Sequence, residues 1–177
     1  MLTPLCELAR KYGSDKFSAK HSYTAWYWEQ FKDRRETVRK VVEIGVGEGA
    51  SLRMWRDFFP NAMIYGADID PKRCFQSERI DVTRCDQANI LDLEQLIAHT
   101  GPDVDLFIDD GSHNPVDQST TSLLLMGILS PNVVYVIEDV ANEMFKQMDA
   151  IGYYEWKAPR LEYRKRYDNR LIVVKHV

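Results

Sequence analysis

An apolar, β-branched run at Val38, Val41, Val42, Ile44 and Val46 passes directly into glycines at 45, 47 and 49. A helical pattern follows, with Leu52, Trp55, Phe58 and Phe59 on one side. No other stretch restricts the fold so tightly. Uninterrupted β-branched residues describe a strand covered on both faces. The glycines let the turn tighten and bring the backbone close to a ligand, and the next helix offers unpaired N–H groups at its start. Strand, glycine turn and helix in this order open a parallel α/β sheet with a nucleotide-like ligand at its edge.

The next strand supports that reading. Ala62-Met63-Ile64-Tyr65-Gly66-Ala67-Asp68 is a second buried run ending in a carboxylate. Asp68 lies about 20 residues past the glycines, where such folds place the group that accepts from ribose hydroxyls. Gly45-Val46-Gly47-Glu48-Gly49-Ala50 also satisfies the dinucleotide pattern G-x-G-x-x-G/A, so an NAD(P)-dependent oxidoreductase is the competing class. A tight turn without a ligand is the plain structural alternative. Glu43, ahead of three alternating glycines, resembles instead the E-x-G-x-G-x-G signature of class I S-adenosylmethionine-dependent methyltransferases.

The chain has 177 residues, enough for one domain with a substantial core. Net charge is -4, so no general basic footprint favours nucleic acid or an anionic membrane surface. Basic residues gather at 32–40 and 160–170 and read as a solvated helix end and a solvated hairpin. Cys6, Cys74 and Cys85 are scattered and form no C-x-x-C, which points to reduced thiols in a cytoplasmic protein. No apolar run approaches ~18 residues, and the N-terminus lacks a signal-peptide core.

Residues 2–12 read as a helix, followed by the polar turn Lys11-Tyr12-Gly13-Ser14-Asp15-Lys16. From His21 to Phe31, Tyr23, Tyr27 and Phe31 share a helix face that packs on a sheet. Residues 1–35 are expected to form a helical lid segment, and 36–177 the ligand-binding domain. After Asp68, residues 71–79 read as a short helix or turn. A third strand is expected at 80–85, a helix at 90–99, and a fourth strand at 104–108. A helix at 118–129, a fifth strand at 133–137, a helix at 141–151, and a strand pair at 153–159 and 167–174 follow. Strands alternating with helices give a Rossmann-like, mostly parallel sheet. The expected order is 3-2-1-4-5-7-6, with strand seven antiparallel.

Ligands of such sheets sit beyond the strand C-termini, where strand order reverses, here between strands one and four. Asp109-Asp110-Gly111-Ser112-His113 follows strand four, and Glu138-Asp139 follows strand five. Four carboxylates and a histidine therefore converge beside the glycine turn. Crowded carboxylates repel unless neutralised, and oxygen ligands suit Mg²⁺. Asp139 alone has another reading, as a cap of the next helix. His113 is either a hydrogen-bonding loop residue or a proton acceptor near neutral pH. His21 is a weaker candidate, and His99 and His176 carry no assignment.

Asp86-Gln87, Asp105 to Ile108, Asp109 to His113 and Tyr135-Val136-Ile137-Glu138-Asp139 together resemble the metal-dependent sugar O-methyltransferases of macrolide pathways, the mycinamicin and tylosin type. Lys11 to Lys16, with His21 and Tyr23, is similar to a segment preceding the fold in related methyltransferases. The resemblance implies that Glu43, Gly45 and Gly47 frame S-adenosylmethionine, that Asp68 holds its ribose, and that Asp86 and Gln87 hold its adenine. It implies Mg²⁺ on Asp110, Glu138 and Asp139, with His113 as general base. Lys16 or Tyr23 is expected to reach the methionine carboxylate of the cofactor. The acceptor implied is a small hydroxylated molecule, a sugar or glycosylated natural product. A homo-oligomer is compatible with it. The chain is shorter than those sugar enzymes that carry an extra N-terminal domain. A cofactor-binding module without chemistry is the non-enzymatic alternative.

Overall fold

The structure is a computed structural model that describes residues 2–151, 155–159, 161 and 170–176, with the side chains of 145 and 149–151 left out. Its elements run α1 (Pro4–Tyr12), α2 (Tyr23–Phe31), β1 (Lys40–Ile44), α3 (Ala50–Phe58), β2 (Met63–Asp68), a single 3₁₀ turn (Pro71–Arg73), β3 (Gln76–Ser77) and β4 (Ile80–Arg84). Then come α4 (Ile90–Thr100), β5 (Leu106–Asp109), α5 (Pro115–Met126), β6 (Val134–Ile137), α6 (Asn142–Ile151), β7 (Glu155–Lys157) and β8 (Ile172–Lys175).

The strands form one sheet in the order β3-β4-β2-β1-β5-β6-β8-β7. From β4 to β6 all neighbours are parallel, and β8 runs antiparallel to both β6 and β7. With β3 set aside, this is the expected seven-strand order. The addition is β3, which pairs antiparallel with the outer strand β4. A two-residue strand offers no alternation to read, so its sequence looked like part of a turn. Most of the link between β7 and β8, including the expected strand's start at Tyr167, lies outside the described residues.

Local signals account for the helix ends. Thr3 caps α1 by accepting from the Cys6 N–H, Pro4 follows, and Gly13 ends the helix in the left-handed region. α5 begins three residues before the expected Gln118. Asn114 accepts from the Val116 N–H and Pro115 takes the first helical position, so the capping pair rather than the apolar stripe sets the start.

Alternation along the strands divides the core between two faces. Val41, Ile108 and Val136 pack with Leu5 and Ala9 of α1, Tyr27 and Phe31 of α2, and Leu52 and Trp55 of α3. Val42, Phe107 and Ile137 pack with Leu93 of α4, Leu125 of α5, and Met144 and Met148 of α6. The first 35 residues thus contribute to the main core. Among the described residues no helix is long and apolar enough to cross a membrane.

Candidate active site

Register brings the strand ends together. Ile44 of β1 pairs with Asp109 of β5, which pairs with Ile137 of β6. Gly45, Asp110 and Glu138 therefore leave the sheet side by side. Gly45 has φ 85°, and a Cβ there would collide with the Asp110 carbonyl oxygen. Only glycine allows β1 to turn this close to β5. A Cβ at Gly111 would likewise strike the Gln87 side chain.

These residues line a cleft of about 550 Å³. Gly45, Gly47, Asp68, Asp86 and Gln87 form part of its wall, and Asp110, His113 and Asp139 form another part. Asp68 braces the glycine turn: its Oδ2 accepts from the N–H groups of Val46 (3.1 Å) and Gly47 (3.3 Å), and its Oδ1 from Asp70 (3.0 Å). Arg73 Nη1 stands 3.7 Å from the same carboxylate. Asp86 Oδ1 accepts from the Ala88 N–H, which shapes the loop after β4.

Period-two alternation sends neighbouring carboxylates to opposite faces of the sheet. Asp109 turns toward the α4–α5 side, where the Gln87 amide donates to both of its oxygens at 3.0 and 3.1 Å. Gln87 Oε1 accepts from the Ser112 N–H at 2.7 Å, so one amide ties the loop after β4 to the loop after β5. Burial pushes the Asp109 carboxyl up to about 7, against the lowering effect of the Gln87 hydrogen bonds. The sequence showed this acid in its motif but not its orientation, because Gln87 lies 22 residues away.

Glu43, Asp110 and Glu138 face the α1–α3 side, and there they meet Lys16. Its ammonium lies 2.5 Å from Glu138 Oε2, 2.6 Å from Asp110 Oδ2 and 3.6 Å from Glu43 Oε1. Tyr27 donates to the other Glu138 oxygen at 2.6 Å, and the Trp55 indole donates to Glu43 at 2.6 Å. Gln118 donates to the Glu138 carbonyl. Burial opposes the charge on Lys16, but the three carboxylates hold its pKa well above the ordinary lysine value. Burial raises Asp110 to about 6, with Lys16 pulling it down and Glu43 and Asp139 pushing it up. Glu138 is raised by burial in the same way.

Asp139 stands at the rim with φ 52°. Its Oδ1 accepts from Tyr23 at 2.5 Å and lies 3.1 Å from His21 Nδ1, and its Oδ2 lies 4.0 Å from His113 Nδ1. Burial pushes the Asp139 carboxyl up, but hydrogen bonds from His21 and Tyr23 and the nearby imidazoles hold it below its ordinary value. His113 also has positive φ, 55°, and its side chain is 43% exposed.

The expected residues therefore separate into two groups. Gly45, Gly47, Asp68, Asp86, Gln87, Asp110, His113 and Asp139 share the cleft wall. Glu43, Lys16, Tyr23 and Glu138 form the layer behind it. Lys16 and Tyr23, expected at the cofactor, bond instead to the strand-end acids. Glu138, expected among the metal ligands, is bonded to Lys16 and Tyr27. Asp110, His113 and Asp139 each offer one ligand atom, all within 4.8 Å of one another. The carboxylates of Asp110 and Asp139 offer the oxygen donors that suit a divalent cation such as Mg²⁺, so they fit the implied metal, with the imidazole beside them. Sequence reasoning gave Tyr27 and Trp55 only a packing face, and it counted Asp109 among the converging acids without its orientation. Tyr27 repeats Tyr23 one turn on, which signalled a shared face but not that both hydroxyls reach acids.

A doubly wound sheet, a glycine turn facing Asp68 and acids beyond β5 and β6 define the Rossmann-like fold of class I S-adenosylmethionine-dependent methyltransferases. No protein-family model matches the chain. The chain is similar in sequence to curated sugar O-methyltransferases. It is 38% identical over 143 residues to 8-demethyl-8-alpha-L-rhamnosyl tetracenomycin-C 2'-O-methyltransferase of Streptomyces olivaceus, with 77% of this chain and 37% of that protein covered. It is 38% identical over 143 residues to mycinamicin VI 2''-O-methyltransferase of Micromonospora griseorubida, covering 77% of this chain and 36% of the relative. The MycE methyltransferase of the mycinamycin pathway, solved with Mg, SAH and mycinamycin VI, superposes with a TM-score of 0.79 at 28% identity. That match covers 98% of this chain and 54% of the other. The chain thus spans little more than a third of the length of these curated relatives.

Proposed function

We propose that this chain is an S-adenosylmethionine- and Mg²⁺-dependent O-methyltransferase acting on a hydroxyl of a glycosylated small molecule. One observation carries the reading: a single cleft is lined both by the glycine turn with Asp68 and by Asp110, His113 and Asp139. The relatives named as sugar O-methyltransferases, and the neighbour solved with Mg, SAH and a macrolide, support it. The scattered reduced cysteines fit a cytoplasmic setting. A self-associating chain is compatible with it.

When bound, the cofactor supplies an electrophilic methyl group and the divalent cation acidifies a coordinated hydroxyl. Gly45 and Gly47 give the cofactor close access to the backbone, Asp68 takes its ribose, and Asp86 and Gln87 take its adenine. Asp110 and Asp139 hold the cation, with Glu138 adjoining Asp110 through Lys16. His113 accepts the acceptor's proton. Its Nδ1 is turned to Asp139, which leaves Nε2 for the hydroxyl. Holding acceptor and cofactor together in the cleft would supply much of the rate.

The test uses the purified chain with isotopically labelled cofactor and glycosylated macrolides or polyketides, with and without Mg²⁺. Label transfer that EDTA abolishes is expected; transfer unaffected by EDTA sinks the metal half. Asp139→Asn activity should partly recover as Mg²⁺ is raised. His113→Ala should slow the chemical step ~10²–10⁴-fold at every Mg²⁺ concentration. If raising Mg²⁺ rescues His113→Ala, the imidazole is a ligand instead. Calorimetric binding of NAD with no heat from S-adenosylhomocysteine would overturn the methyltransferase reading.

A further inference from the structure

Lys16 sits where the charge balance of the strand-end acids is decided. It is 1% exposed, and it is the buried lysine among the described ones. Its ammonium takes Asp110 Oδ2 and Glu138 Oε2 at hydrogen-bond distance, while Tyr27 holds the second Glu138 oxygen. Both Glu138 oxygens are therefore engaged by donors from the first 35 residues. An oxygen aimed at an ammonium 2.5 Å away cannot at the same time direct that lone pair at a Mg²⁺ ion, which needs its oxygen at about 2.0–2.1 Å.

We propose that Lys16 is a built-in counter-cation of Asp110 and Glu138 that competes with the divalent cation for these carboxylates and so sets the affinity of the site. The inference rests on the divalent-cation reading above. Without a metal ion, Lys16 keeps three enclosed carboxylates from repelling one another and preserves their geometry. When the ion arrives, two cations face the same acids, and the repulsion between them lowers affinity. Glu138 can join the ligand set only as Lys16 gives up its oxygen. The polar segment before α2 then senses whether the cation is bound, because it supplies Lys16.

A purely structural ion pair, fastening the N-terminal segment to the sheet, makes a different prediction. Its loss would lower stability and leave cation affinity equal or weaker. Competition predicts the opposite sign for affinity. The experiment measures Mn²⁺ binding by the electron spin resonance of the free ion, on the full chain without cofactor or acceptor. Lys16→Met is expected to bind Mn²⁺ at least about tenfold more tightly than the unmodified protein, because a unit positive charge beside the ion is removed. Equal or weaker binding by Lys16→Met overturns the proposal. Should Lys16→Met fail to fold, the unmodified protein still decides. With ¹⁵Nζ-labelled lysine, the enclosed Lys16 ammonium gives a resonance that moves on saturation with diamagnetic Mg²⁺, and a resonance that stays in place overturns the proposal. Absence of Mn²⁺ binding to either protein removes the divalent-cation reading itself, and this inference with it.

Discussion

His113 and Asp139 are two of the four non-glycine residues with positive φ among the described residues. Asp and His enter this region more readily than most side chains, but such backbone still costs on the order of 1–3 kcal/mol where it is strained. Both lie on the cleft wall, and the surrounding bonds from His21 and Tyr23 hold Asp139 in place. Asp68 illustrates how one side chain carries two tasks, since its carboxylate braces the glycine turn it faces. Asp68→Ala should weaken S-adenosylhomocysteine by about 10- to 100-fold in calorimetric titration, because a charged acceptor is worth about 1.5–3 kcal/mol per hydrogen bond. A change below twofold would mean that the ribose lies elsewhere. At this scale the sequence announced which residues cluster but not how they pair. D-D-G-S-H and E-D were legible because they end strands. The Lys16 bonds were not, because its acidic partners lie 94 and 122 residues away.

At the scale of elements, β-branched runs made the strands of the main sheet readable, and glycine or proline marked the end of β1 and the turns before β5 and β6. The two-residue β3 carried no such pattern. The clasp between α1 and α3 was equally hidden. Asp57 of α3 accepts from Tyr12 and from Lys11 (3.0 Å) of α1, and from its neighbour Arg56 (2.8 Å). Partial burial pushes the Asp57 carboxyl up, but the Tyr12, Lys11 and Arg56 contacts win and lower it to about 2. A carboxyl with a depressed folded pKa contributes stability that is fully present above the unfolded value, near 3.8, and is lost as pH falls through about 2. Asp57→Asn should therefore cost about 1 kcal/mol at neutral pH, a solvent-screened figure, and the gap should close between pH 4 and 2 in thermal melts. A gap independent of pH would exclude this clasp. The N-terminal segment, residues 1–35, is proposed as a lid because Asp15 lines the cleft and Lys20 is exposed. Tryptic cleavage after Lys20 should slow when S-adenosylhomocysteine is bound, and equal rates in both samples count against a lid.

For the whole molecule, the cleft draws its walls from both halves of the sheet, β1, β2 and β4 on one side and β5 and β6 on the other. A ligand there binds only the assembled fold. At 100 times its dissociation constant, S-adenosylhomocysteine should add about 2.7 kcal/mol of stability. That corresponds to a rise of roughly 5–10 °C in Tm for a chain of this size. NAD at the same concentration should give no shift, and the reverse pattern would favour the oxidoreductase. The strand order was legible because alternating strands and helices leave few arrangements open. The division of the acids between two faces needed the register as well.

That division has a consequence for chain length. Asp109, the last residue of β5, belongs to Gln87 on one face, and Asp110, the next residue, to Lys16 on the other, because they are one residue apart. Deleting or inserting one residue between Val104 and Ile108 would leave the strand just as apolar and the motif D-D-G-S-H intact. The two acids would nonetheless exchange faces, Asp109 leaving the side of Gln87 and Asp110 the side of Lys16. In this protein a shift of one residue along β5 puts each acid on the other's face, although neither letter has changed.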